Sequence, residues 1–162
     1  MTAVDERPPQ QTRHPARESY RFSVPSSPTA PRVAREMAAN LLTLTGHGAV
    51  AETVRLLVSE LVTNAYAHTH SRVIHLDVSV RPDRVTVAVW DTNPELRPQM
   101  RATHADEESG RGLRLVDQLA TSWGVVWPND PPARWKRVWF ALAESATEAP
   151  TVLMPTDPRR YQ

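Results

Sequence analysis

Apolar residues alternate with polar residues in several short segments of the chain and recur every three or four residues in others. Alternation is typical of half-buried strands, and the longer period is typical of amphipathic helices. The predicted strands cover residues 19–24, 72–80, 85–91, 123–127 and 135–142. The predicted helices cover residues 29–43 and 49–68, with a short third helix beginning at Gly110.

Breaks between these segments indicate how the elements connect. Gly46 and Gly48 separate the first two helices, and the short turn Arg81–Arg84 joins the second and third strands as an antiparallel hairpin. The order β-α-α-β-β-loop-α-β-β predicts an α+β fold. We expect a two-layer α/β sandwich in which helices cover a mixed, mostly antiparallel sheet.

The two ends of the chain differ in composition from its middle. Residues 1–18 and 144–162 are rich in proline and charge and show no apolar period, so we predict two disordered tails around one domain at residues 19–143. Inside that domain, residues 92–109 form a long polar segment. Loops of this length in a compact domain are uncommon and tend to be functional.

The overall composition is that of a globular chain with balanced charge. Its 162 residues include 19 basic and 18 acidic side chains, a formal net charge of +1, and no cysteine. The absence of cysteine excludes a disulfide scaffold, a thiolate zinc site, an iron–sulfur cluster and a cysteine nucleophile. The balanced charge gives no indication of binding to a nucleic-acid duplex or a membrane. With no apolar run near the roughly 20 residues of a membrane span, we expect a soluble, cytoplasmic protein.

One polar pair stands out on the second predicted helix. Glu60 and Asn64 are four residues apart, so both side chains leave the same face. A carboxamide oxygen is a hard ligand suited to hydrated Mg²⁺, and a carboxylate can accept a proton from water or a hydroxyl group. The alternative is a solvated helix edge, and the pair alone does not decide between them.

Two further features follow in the sequence. Asp91 ends an apolar strand, where a carboxylate is either a polar anchor in a pocket or an ordinary turn residue. Gly110, Arg111 and Gly112 stand between the polar loop and a helix, where glycine lets the backbone approach phosphate oxygens and the helix N-terminus favours an anion. A plain joint between loop and helix would use the same glycines, and Arg111 could equally be a solvated side chain.

Histidines and tryptophans give weaker indications. His68, His70 and His75 lie near one another in sequence, but no acidic partner supports a metal site, and we do not expect one. The five tryptophans fall in or beside predicted strands. They indicate either sheet core or an exposed face for a partner. Their positions are Trp90, Trp123, Trp127, Trp135 and Trp139.

Taken in order, these features resemble the GHKL ATP-binding fold of gyrase, heat-shock chaperones, histidine kinases and mismatch-repair ATPases. Within that group, the chain is similar to the stand-alone bacterial anti-sigma factor serine kinases that are common in actinomycetes. The matching segments are Ser59–Ala65 for the N box, Val89–Asp91 for the first glycine box, Gly110–Asp117 with Trp123–Gly124 for the second, and Lys136–Phe140 for the final strand. The resemblance covers residues 19–143.

The resemblance implies a role for each matching residue. Asn64 would hold Mg²⁺ against the phosphates of ATP, and Glu60 would act as general base or orient the attacking group. Asp91 would accept a hydrogen bond from the adenine amino group, and residues 92–109 would be the ATP lid. The residues closing on the phosphates would be Gly110, Arg111, Gly112 and Leu113.

The same resemblance implies an anti-sigma factor or partner-switching regulator, with ATP and Mg²⁺ as cofactors. Such a protein binds a sigma factor and phosphorylates a serine or threonine of an anti-anti-sigma protein of the STAS type. It contacts neither nucleic acid nor membrane directly, and related proteins often form homodimers. No histidine-containing helix pair precedes the domain, which argues against a two-component histidine kinase.

The first glycine box departs from the family pattern. The family usually continues Asp-x-Gly-x-Gly, whereas this chain has Asp91-Thr92-Asn93-Pro94-Glu95. Two alternatives to a kinase therefore stay open. One is a non-catalytic nucleotide-binding module that regulates a partner by contact, and the other is a domain of this shape that binds no nucleotide.

Overall fold

A five-stranded sheet forms one layer of the computed structural model, which describes residues 17–92, 111–127 and 135–144. The strands are β1 Glu18–Pro25, β2 Val73–Arg81, β3 Arg84–Asp91, β4 Ser122–Val126 and β5 Lys136–Ala143. Their order across the sheet is β1-β2-β3-β5-β4, so β5 inserts between β3 and the edge strand β4. All four pairings between these described strands are antiparallel.

Three helices form the second layer. They are α1 Ala30–Leu44, α2 Ala51–His68 and α3 Arg111–Leu119, and a single 3₁₀ turn, Gly48–Val50, leads into α2. Helix α1 ends because Gly46 adopts a φ of +85°, a left-handed conformation that glycine accepts without strain. The next amide, on His47, then donates to the carbonyl of Leu42 at 2.7 Å and closes the helix end.

The core lies between the helices and one face of the sheet. Alternating residues of each central strand point toward the helices, and the residues with no exposed surface include Ile74, Leu76, Val78, Val85, Val87 and Phe140. Helices α1 and α2 fill the other side of this layer with Leu42, Val54, Leu57 and Val62. The opposite face of the sheet carries polar, arginine and tryptophan side chains, and no described helix covers it.

Several chain segments meet at one end of the sheet. Helix α2 ends at His68, and a short connection leads into β2. The first residues of β2 pair with the last residues of β3, as in the register His75 with Trp90. The last residue of β3, Asp91, pairs with the first residue of β5, Lys136. The C-terminal part of α2, the end of β3 and the start of β5 therefore share one end of the domain, called here the α2 end.

The structure confirms the predicted α+β two-layer fold, and each predicted helix and strand lies within two residues of an observed one. It corrects one detail, because the sheet was expected to be mixed and the described strands pair only antiparallel. The predicted lid and both predicted tails lie almost wholly outside the described residues. Across the described ranges, none of the helices combines the length and apolar character needed to cross a membrane.

Candidate functional site

Glu60 and Asn64 lie one turn apart on the C-terminal half of α2, and both side chains are half-buried. Their helix neighbours Leu57, Leu61 and Ala65 are buried in the core. The polar pair therefore borders the core instead of facing open solvent. A half-buried carboxylate and carboxamide at the rim of a core are placed to act on a ligand that enters beside them.

Gly112 lies directly against this pair. A Cβ atom at Gly112 would stand 2.7 Å from Oε2 of Glu60, 3.1 Å from Cβ of Glu60 and 3.4 Å from Nδ2 of Asn64. A side chain at this position would force the Glu60 carboxylate to move and would crowd Cβ of Glu60. The absence of a side chain lets the first turn of α3 approach α2 closely, and it brings three of the predicted site residues together.

The first turn of α3 adds hydrogen-bond donors to this place. The helix begins at Arg111, and the first amide groups of a helix have no acceptor within it, which gives its N-terminus a partial positive charge. Leu113 is 4% exposed and belongs to the core, so only its backbone is available to a ligand. Gly110 and the side chain of Arg111 lie outside the described part of the chain.

Asp91 and Lys136 occupy the neighbouring strand ends. Asp91 follows Val85, Val87 and Val89 in the alternation of β3, and its backbone pairs with that of Lys136. Lys136 is 4% exposed, which is rare for a lysine, because removing an ammonium group from water is costly unless it has partners. A buried cation therefore lies at the same end of the sheet as the predicted adenine-binding residue.

The histidines do not converge. His75 lies on the open face of the sheet, where its Nδ1 atom is 2.8 Å from the hydroxyl group of Ser23, whereas His68 ends α2 and is exposed. Among the described residues, no group of three or more acidic, histidine or cysteine side chains has a metal-binding arrangement. A Mg²⁺ ion held by one protein amide and by phosphate oxygens would not need such a group.

Comparison with protein families decides the class of this domain. The model of the histidine kinase-like ATPase domain matches residues 24–126, nearly two thirds of the chain. The chain belongs to the histidine kinase-like ATPase family. A comparison with curated proteins finds no match.

Membership of the histidine kinase-like ATPase family confirms the GHKL-type fold that the order of motifs indicated. The matched segment includes the helix with Glu60 and Asn64, the end of β3 and the first turn of α3. The match ends before Lys136, and β5 completes the sheet by pairing with both β3 and β4.

The residues at the α2 end fit a magnesium-bound nucleotide. Asn64 offers a hard carboxamide oxygen, Glu60 offers a carboxylate, and the first turn of α3 offers backbone amides beside them. Gly112 lets the first turn of α3 pack directly against Glu60 and Asn64. The roles of the individual residues remain predictions, and the packing of this glycine brings the predicted site residues Glu60, Asn64 and Gly112 together.

Lys136 is a buried residue next to the predicted site that was not among the predicted site residues. It is the single lysine among 19 basic residues. It also begins the alternation Lys136, Val138, Phe140 and Leu142, which places it on the helix-covered face. The alternation of Lys136 with these apolar residues is visible in the sequence, and it indicates that the lysine is buried.

Proposed function

We propose that this chain is an ATP-binding anti-sigma factor or partner-switching regulator that phosphorylates a serine or threonine of a STAS-type anti-anti-sigma protein. Its membership of the histidine kinase-like ATPase family supports the nucleotide part of this proposal. The motif sequence around the N box and both glycine boxes, which resembles the stand-alone anti-sigma kinases, supports the partner-switching part.

The close contact of Gly112 with Glu60 and Asn64 is the observation that carries the proposal. Glu60, Asn64 and the first turn of α3 lie within one small region, which supports the roles of proton acceptor, magnesium ligand and phosphate-binding amides proposed for them. Phosphoryl transfer depends mainly on positioning and on neutralising the charge of the phosphate oxygens. This set of groups supplies both requirements without a covalent intermediate on the protein.

Each residue has a defined task in this mechanism. Asn64 would hold Mg²⁺, and the first turn of α3 would bind phosphate oxygens. Bound Mg-ATP would supply the phosphoryl group and part of the charge neutralisation. The hydroxyl oxygen of the partner would bond to the γ-phosphorus while the bond between that phosphorus and the ADP oxygen breaks. Glu60 would accept the proton that the hydroxyl group releases. Asp91 would hold the adenine amino group.

One observation favours a second candidate function. The first glycine box lacks its usual glycines after Asp91, where the chain continues Thr92-Asn93-Pro94-Glu95. These glycines would let the backbone approach the base closely. A domain with looser contact to the nucleotide suits a non-catalytic module that holds ATP and regulates its partner by contact.

A phosphotransfer assay separates the two candidates. The protein is incubated with γ-labelled ATP, Mg²⁺ and purified STAS-domain proteins from the same genome, and label on each protein is measured. We expect label on a STAS-domain protein, its loss with Glu60→Gln, and its retention with Arg32→Glu, a control change on the exposed surface of α1. ATP binding without transfer to any STAS-domain protein would favour the non-catalytic module, and no ATP binding would contradict both candidates.

A further inference from the structure

A basic groove crosses the face of the sheet that no described helix covers. It has a volume of about 680 Å³ and is lined by residues of β1, β2, β3 and β5. Its charged lining residues are Arg17, Arg21, Arg81, Arg84, Arg137 and Asp77. We call this feature the arginine groove. It lies on the opposite side of the sheet from the candidate nucleotide site.

An organised cluster stands beside the arginine groove. The guanidinium groups of Arg21 and Arg137 lie 5.3 and 5.5 Å from the ring centre of Trp90, within the range of cation–π contacts. The ring of Trp135 packs 4.6 Å from that of Trp90. Side chains held against a ring in this way lose little freedom on binding, so the cluster is preorganised for a partner.

Asp77 holds part of this cluster in place. It accepts hydrogen bonds from Arg21 at 2.6 and 3.0 Å and from the indole N–H of Trp90 at 2.8 Å. Burial raises the pKa of the Asp77 carboxyl, but these hydrogen bonds and the charges of Arg21 and Arg137 outweigh burial and lower it below 3.8. Asp77 is therefore an anion at neutral pH, and it neutralises only one of the five arginines.

Arg137 has unused hydrogen-bonding capacity. Its Nε atom is buried and has no hydrogen-bond partner among the residues that the structure describes. A buried donor without an acceptor is destabilising. The same side chain is half-buried and lines the arginine groove, so its guanidinium group can meet an acceptor that enters there.

The charge of the arginine groove contrasts with the charge of the chain. Five cations and one anion give it a formal charge of +4, whereas the whole chain has +1, so the other residues together carry −3. All five cations are arginines, whose planar forks bind carboxylates through two parallel hydrogen bonds. A local positive groove on a nearly neutral protein suits an acidic protein segment better than the long, uniform charge of a duplex.

We propose that the arginine groove docks an acidic segment of a partner protein, with carboxylates engaging Arg137, Arg84 and Arg81 and an apolar side chain packing on Trp139. This inference goes beyond the proposed nucleotide function and does not depend on it. A partner bound at this face leaves the α2 end open, so docking and nucleotide binding can occur together.

Fluorescence anisotropy with a labelled oligoglutamate peptide tests the proposal. We expect saturable binding that weakens at higher salt, and a loss of about tenfold or more in affinity with Arg84→Glu and with Arg137→Gln. Arg84 makes no contact with Trp90, so its variant reports on docking even if Arg137→Gln disturbs the cluster. The matched control is Arg32→Glu on α1, which should bind the peptide within about twofold of the wild type.

A second readout locates the peptide. The indole N–H signal of Trp90 in a two-dimensional NMR spectrum, assigned with Trp90→Phe, should shift on peptide addition. Asn64→Ala should bind the peptide normally, because the nucleotide site lies on the other side of the sheet. Peptide binding in this variant would thus support docking even if the nucleotide proposal failed.

Four results would overturn the docking proposal. The first is no binding of the peptide at low salt, and the second is an equal loss of affinity with Arg32→Glu. The third is that a short DNA duplex or phosphatidylserine vesicles bind more tightly than the peptide and that Arg84→Glu abolishes this binding. That result would assign the face to those ligands. The fourth is self-association that Arg84→Glu abolishes, which would make the face an interface between two copies of this chain.

Discussion

Gly112→Ala tests the packing of α3 on the polar pair of α2. The added methyl carbon would stand 2.7 Å from Oε2 of Glu60 and 3.1 Å from its Cβ. Favourable contacts between carbon atoms lie at roughly 3.5–4.0 Å. The carboxylate can rotate away, but Cβ of Glu60 is fixed to the backbone of α2, so α3 must shift by a few tenths of an ångström.

Two effects on stability oppose each other in Gly112→Ala. Alanine is about 1 kcal/mol more favourable than glycine within a helix. Overpacking at a close contact costs about 1–3 kcal/mol. We therefore expect the free energy of unfolding to fall by no more than about 2 kcal/mol, so the variant stays folded. Urea unfolding followed by circular dichroism measures this change.

Nucleotide binding should respond more strongly than stability. The shifted helix amides would lose part of their charge-assisted contacts with the phosphate oxygens, and such contacts contribute about 1.5–3 kcal/mol. We expect Gly112→Ala to bind Mg-ATP at least about tenfold more weakly, equal to about 1.4 kcal/mol. The assay is isothermal titration calorimetry on folded variant protein.

Gly48→Ala is the matched control for Gly112→Ala. An added Cβ at Gly48 would meet nothing within 4 Å, and this residue lies in the turn before α2. Its affinity for Mg-ATP should equal that of the wild type. Wild-type affinity in Gly112→Ala, or an equal loss in Gly48→Ala, would refute the reasoning that the contact shapes the nucleotide site.

Three further variants test other parts of the account. Glu60→Gln should keep Mg-ATP binding within about threefold and abolish phosphotransfer, because the amide cannot accept the proton; binding and transfer lost together would contradict this division. Since the folded pKa of Asp77 lies below 3.8, its ionised form stabilises the fold above that pH and loses this effect as the pH falls through the folded pKa. Asp77→Asn should therefore show less loss of stability below pH 3.8 than the wild type in urea unfolding at several pH values, and parallel curves would contradict the assignment. His47 and Glu144 form a hydrogen-bonded pair with side chains 11% and 12% exposed, so His47→Phe should cost about 1–3 kcal/mol of stability and Glu144→Gln clearly less, with Mg-ATP affinity unchanged in both.

Local patterns predicted the helices and strands well because each depends on neighbours in sequence. The four-residue spacing of Glu60 and Asn64 predicted that both side chains leave one face of the helix, and in the structure both lie on α2, half-buried and close to Gly112. The break at Gly46 was likewise predictable, since a left-handed residue is the ordinary way to end a helix.

Contacts between distant segments were harder to predict. The insertion of β5 between β3 and β4 depends on which strands meet, and short apolar strands do not specify this by themselves. The cluster around Trp90, with Asp77, combines residues from four different strands, so it emerges only once the register is known. The sequence allowed an exposed partner face for the tryptophans, and Trp90 and Trp139 do lie on the open face of the sheet.

The distance between Gly112 and the α2 pair was also beyond sequence reasoning. Glycines at the start of a helix fit either a phosphate-binding turn or a plain joint between loop and helix. Only the docking of α3 on α2 distinguishes these two interpretations. Lys136 was missed for a different reason. Lys136 was assigned only to the segment that resembles the final strand of the family, and its burial emerges only from the structure.

Mg-ATP binding by the wild type and by Asn64→Ala is the most direct test of the central claim. Calorimetry with and without Mg²⁺ should show magnesium-dependent binding to the wild type, with thermal stabilisation of about 2.7 kcal/mol when Mg-ATP is at 100 times its Kd. Asn64→Ala, which removes the carboxamide beside Gly112, should bind at least about tenfold more weakly and lose most of the dependence on magnesium. Absence of binding to the wild type, or identical magnesium-dependent binding by Asn64→Ala, would contradict the account.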